Sequence, residues 1–128
     1  MTYHFSKTCA ISFEDAISKV TEALKKEGFG VLTEIDVRET LKKKLDVSFR
    51  KYKILGACNP SFAYRALQAE DKIGTMLPCN VIVQERADGT VEVSAVDPIA
   101  SMAAIKNPEL GAIAEQVREK LKNVVASL

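Results

Sequence analysis

The chain has 128 residues, 47% of them apolar, enough for one self-sufficient core spanning residues 1–128 and no second domain. Its 18 Lys and Arg against 17 Asp and Glu leave a net charge of +1, which removes any global electrostatic reason to seek nucleic acid, an anionic membrane or an acidic substrate. The three cysteines, Cys9, Cys58 and Cys79, are odd in number and form no C-x-x-C pair, so they suggest neither a disulfide framework nor a zinc ribbon.

Residues 3 to 9 fit a first strand. Ser12 and Asp15 then have the S-x-x-D spacing of a capping box, and Phe13, Ala16, Ile17, Val20 and Leu24 recur at helical spacing until Gly28, which suits a left-handed C-terminal cap. Val31, Thr33, Ile35 and Val37 alternate with Leu32, Glu34 and Asp36, which predicts a second strand with one buried face. A short basic helix, Arg38 to Leu45, offers only Leu41 and Leu45 as a narrow stripe to bury.

Tyr52 to Cys58 reads as a third strand, with Gly56 marking a bulge or a close approach of another segment. Asn59-Pro60 is a helix start, because Asn caps free amides and Pro at the first position gives up an N–H that has no partner there. That helix runs to about Ala69. After a turn at Ile73-Gly74, Cys79 to Val83 is an apolar strand, and Asp88-Gly89 turns it into an antiparallel partner bearing Val91, Val93 and Ala95. Asp97-Pro98 and Asn107-Pro108 repeat the cap-then-proline device, opening a short helix and a long one that carries Leu110, Ile113, Ala114, Val117, Leu121 and Val124. The order βαβ(α)βαββαα predicts an α+β domain, a mixed β-sheet with helices packed on it, and leaves the strand order open.

The chemistry concentrates in two Cys-Asn steps, Cys58-Asn59 at a strand end and Cys79-Asn80 at a strand start. A thiol just before a helix N-terminus sits near the positive end of the helix dipole, which favours the thiolate and makes Cys58 a candidate nucleophile, redox thiol or soft ligand. Both cysteines also suit a packing role, free Cys being among the most buried residues. Cys9, beside Ala10 and Ile11, reads as packing. Asn80 is out of place in a strand and needs either a loop to hold or a ligand to face. A zinc site lacks ligands, since His4 is the only histidine and has no spacing relation to either thiol. His4 is likewise the only imidazole available as a base for Cys-His catalysis. Lys42, Lys43, Lys44, Arg50, Lys51 and Lys53 stand against Asp46 alone, a basic run that reads as a solvated face or as a dock for an anionic partner. No nucleic-acid motif or phosphate-binding glycine loop accompanies it.

Lys53 to Pro60 (KILGACNP), Ala63 to Leu67, and Ile73 to Val81 with its LPCNV block closely resemble domain-of-unknown-function family 302. The likeness continues through Asp36-Val37-Arg38, Asp97-Pro98 and Asn107-Pro108-Glu109-Leu110, nearly the whole chain. The resemblance implies a compact α+β fold, called TT-seventeen-fifty-one-like, commonly found as homodimers, with Cys58, Asn59, Pro60, Pro78, Cys79 and Asn80 in its signature blocks. It brings no reaction and no cofactor.

Three functional expectations follow. The first is a homodimeric module binding a small ligand or metal in a pocket lined by Cys58, Asn59, Cys79 and Asn80. The second is a thiol redox protein or enzyme with Cys58 as the reactive sulfur and Cys79 as its resolving partner. The third is an interaction protein docking an anionic partner on Lys42 to Lys53. No stretch approaches the ~18 apolar residues of a membrane span. The start Thr2 to Lys7 lacks a signal-peptide layout, so a reducing, cytoplasmic setting is expected.

Overall fold

In the computed structural model, which describes residues 2–128, Ser12 caps the first helix as its spacing requires, its Oγ accepting from the Asp15 amide at 3.0 Å. The helix, α1, runs Phe13–Lys26 and buries Phe13, Ala16, Val20 and Leu24 on one face. Gly28 follows with φ of +86°, a conformation that a side chain would strain.

Five strands form one sheet: β1 (His4–Cys9), β2 (Gly30–Asp36), β3 (Tyr52–Cys58), β4 (Cys79–Glu85) and β5 (Val91–Val96), in the order β1-β5-β4-β3-β2. The remaining helices are α2 (Val37–Leu45), α3 (Pro60–Ala69), α4 (Pro98–Ser101) and α5 (Pro108–Ala126), with a 3₁₀ turn at Ile73–Met76. The α+β class and the element order agree with the sequence reading. The sheet, expected to be mixed, is antiparallel at every pairing. The reason lies in the connections. From β2 onward each strand is followed in the sheet by its antiparallel neighbour, so α2 and α3 link adjacent strands without a parallel crossover. Only α1 joins strands that are not neighbours, carrying the chain from one edge strand to the other.

Strand alternation divides the sheet into two faces. Leu55, Val81 and Ala95 lie side by side across β3, β4 and β5 and are fully buried under α1 and α5. From α5, Leu110, Ile113, Val117, Leu121 and Val124 join this core and Ala114 is buried beside them, as their periodicity predicts. The opposite row, Ile35, Ile54, Ile82 and Ser94, lies outside that core, and Ile35 is 48% exposed.

Two expectations about the basic arm change. The alternation in β2 gives no buried face: the strand is an edge, its register shifts between Val31 and Thr33, and Leu32 and Ile35 are both exposed. Likewise α2 buries nothing, Leu41 being half-buried and Leu45 exposed. Local period specified the elements there, but no second layer arrives to cover them.

Candidate functional site

Antiparallel pairing brings the two Cys-Asn steps together. Ala57 lies opposite Cys79 and Gly56 opposite Asn80, so Cys58 is one residue beyond the partner of Cys79 at the same end of neighbouring strands. Gly56 permits the close approach that its sequence context predicts. A Cβ there would lie 2.1 Å from Thr33 Oγ1 and 2.8 Å from Pro78 Cγ, so no larger residue fits between the edge strand and the Leu77-Pro78 segment that leads into Cys79.

Both cysteines border a cavity of about 310 Å³. Helix α3 forms one wall with Phe62, Ala63 and Ala66, and α5 forms the facing wall with Leu110, Ile113 and Ala114. Phe29, Pro98 and Met102 close it further, while Leu32 and Leu67, 69% and 45% exposed, also line it and reach solvent. Alanines at 57, 63, 66 and 114 leave the space that larger side chains would fill. Periodicity marks the α5 face as core and does not set these walls apart from it. The available signal was the recurrence of Ala on helix faces that otherwise carry Leu, Ile and Phe.

The four sequence-derived candidates separate. Cys58 is half-buried and Cys79 buried, and both are free thiols on the cavity. Burial pushes the Cys79 thiol up from 9.0 to about 11, and the neighbouring Cys58 adds to the rise. Asn59 also lines the cavity, but it does not cap α3. Its Nδ2 instead donates to the Glu27 carbonyl at 3.3 Å, across the αL turn at Gly28, where an added Cβ would lie 3.0 Å from that same nitrogen. Asn80 does not line the cavity: with Cys79 turned inward, strand alternation turns Asn80 outward, and it is exposed, so its amide needs no buried partner.

The lining carries no charged side chain, and its polar groups are limited to the Asn59 amide, the two thiols and main chain. Among the described residues, no group of three or more His, Cys, Asp or Glu is placed to hold a metal ion. The basic run is largely neutralised locally. Lys42 pairs with Asp46, Lys43 with Glu39, Lys51 with Glu14 and Lys53 with Glu34, while Arg50 packs over Phe49 and donates to Gln84.

An antiparallel sheet with its helical layer on one face and a small apolar cavity at the strand ends, open to solvent beside Leu32 and Leu67, defines a single-domain α+β protein. The chain belongs to the family described as "Domain of unknown function DUF302", whose model matches residues 5–128. Its structure is similar to that of the uncharacterized conserved protein DUF302 from Bacillus stearothermophilus, with 29% sequence identity, 98% of each chain covered and a TM-score of 0.91. No curated protein matches the chain. No helix among the described residues is long and apolar enough to cross a membrane.

Proposed function

We propose that this protein is a small-molecule binding module that works as a homodimer in a reducing, cytoplasmic compartment. One observation carries the binding reading: a cavity of about 310 Å³, open to solvent beside Leu32 and Leu67, runs into the fold between two helices, bordered by the two thiols and walled by alanines. Native interiors are close-packed, and a void of this size forfeits dispersion contacts that larger side chains would restore. A ligand supplies those contacts.

The dimer reading draws on the sheet face opposite the core, where Ile35 is exposed, Ile54 and Ile82 are half-buried and Ser94 is buried. A surface that meets its own copy must avoid uncompensated like charge, and the row Ile35, Ile54, Ile82, Ser94 and Ser6 carries none. The three free thiols suit a reducing compartment. The redox reading is weaker, because a resolving cysteine attacks as thiolate and burial keeps the Cys79 proton in place at neutral pH. Docking of an anionic partner on Lys42 to Lys53 is weakened by the local ion pairs.

The binding reading is tested by screening neutral fragments against the isotope-labelled protein. Resonances of Cys58, Phe62, Ala66, Cys79 and Ile113 are expected to move together and to saturate; a library that moves none of them defeats the proposal. Light scattering tests the dimer, with Ile35→Lys expected to give a monomer from a dimeric parent. A monomeric parent removes the dimer and leaves the cavity reading intact.

A further inference from the structure

We infer that the cavity takes an uncharged aromatic molecule of about two fused rings, held between the helix walls with its faces against sulfur and phenyl groups. The inference rests on the binding reading above and names the chemical class of the occupant.

Size sets the first limit. A cavity of ~150 Å³ lined by apolar side chains accepts benzene, and the space here, about 310 Å³, is roughly twice that. One ring leaves half of it empty, whereas a long chain or a nucleotide would have to extend past Leu32 and Leu67 into solvent.

Charge sets the second limit. None of the residues on the cavity is Asp, Glu, Lys, Arg or His, so a buried carboxylate, phosphate or ammonium would meet no counter-charge. The one side-chain amide gives an N–H to the Glu27 carbonyl and, being neutral, supplies no counter-charge. Cys79 reports the same environment, since burial there holds a thiol in its neutral form.

The lining sets the third. Three sulfur atoms, from Cys58, Cys79 and Met102, and two phenyl rings, from Phe29 and Phe62, meet on one small space. Sulfur packs favourably against aromatic rings, and rings favour offset or edge-to-face contact with other rings, so an unsaturated guest gains at several walls what a saturated guest of equal volume does not.

The test uses the full chain and three soluble probes of similar size: indole, neutral and aromatic; cyclooctanol, neutral and saturated; and indole-3-carboxylate, aromatic and charged. Binding is followed by the resonances of Phe62, Ala66, Cys79 and Ile113 and by protection of Cys58 from iodoacetamide. Indole is expected to bind roughly tenfold more tightly than either alternative, a margin that a few sulfur–ring contacts supply. Equal or tighter binding of cyclooctanol or the carboxylate overturns the aromatic assignment and leaves the binding reading standing. If none of the three moves these resonances or protects Cys58, the aromatic assignment falls, and the fragment screen above decides the binding reading separately. Ala63→Phe fills the space from α3 and is expected to abolish indole binding. Ala114→Leu does so from α5 should the first variant not fold. Undiminished indole binding in a folded, filled variant places the probe elsewhere and overturns the inference.

Discussion

Asn59-Pro60 and Asn107-Pro108 are the same dipeptide in the same position, one residue before a helix and its first residue, yet the fold uses them differently. Asn107 behaves as its sequence predicts. Its Oδ1 accepts from the Glu109 and Leu110 amides at 3.1 and 3.4 Å, and its Nδ2 donates to the Ala69 carbonyl at the far end of α3. Asn59 makes no cap and holds only the Glu27 carbonyl. The α5 start therefore secures its own helix amides as well as its neighbour. The α3 start leaves its first amides without a side-chain cap and uses the Asn59 side chain to hold a turn beside the cavity. In consequence α3 is tied at each end by an asparagine amide and packs loosely between, with Ala66 as its only buried residue.

The largest test of this contrast concerns the space under α3. If that space is as poor in water as its lining implies, the folded protein holds the Cys79 proton that the unfolded chain releases near pH 9, and folding loses stability as pH rises from 9.0 to about 11. The full effect over that window is about 3 kcal/mol, two pKa units at about 1.4 kcal/mol each. Urea midpoints of the parent and of Cys79→Ala, measured at pH 8 and pH 11, isolate it, because Lys, Tyr and the other thiols titrate in both. The parent's advantage is expected to shrink or reverse at the higher pH. An unchanged difference means that water reaches the thiol.

Next comes the cap itself. Asn107→Ala removes two helix N–H partners and the bond to Ala69, an expected loss of about 2 kcal/mol from one cap and one tertiary hydrogen bond. Asn59→Ala removes one bond and no cap, so about 1 kcal/mol or less is expected by the same denaturant measurement. Equal losses would mean that the two asparagines have equivalent roles after all.

How far the sequence reaches is visible in the same pair. Helix starts, the Asp88-Gly89 hairpin and the buried face of α5 depend on neighbours within a few residues, so period and turn chemistry predict them. The Cys58–Cys79 juxtaposition was legible because both ends of that contact carried an unusual local block. What the sequence could not show depends on tertiary partners. Asn59 turns to Glu27, 32 residues away, rather than to its own helix. The alternation of β2 meets no covering layer, and Asn80 faces outward because Cys79 faces inward. A pocket at Cys58 and Cys79 is expected from the sequence, but its α3 and α5 walls are not, because an unfilled space is a property of several walls at once and recurring alanine is the only local hint.

The smallest effect is the most discriminating, because it reverses the ranking by stability. Cys58 is half-buried and precedes Asn59, so its reaction with iodoacetamide under native conditions reports opening of the α3 start rather than global unfolding. Loss of the Glu27 bond in Asn59→Ala weakens that end by up to about 1 kcal/mol, which corresponds to roughly fivefold faster modification. Asn107→Ala costs the protein more overall, but it loosens α3 at Ala69, the end away from the thiol, so its effect on Cys58 is expected to be smaller. The less destabilised variant should therefore react faster. If modification rates instead follow global stability, with Asn107→Ala the faster, α3 opens only when the whole domain does, and Asn59 has no local hold on the cavity.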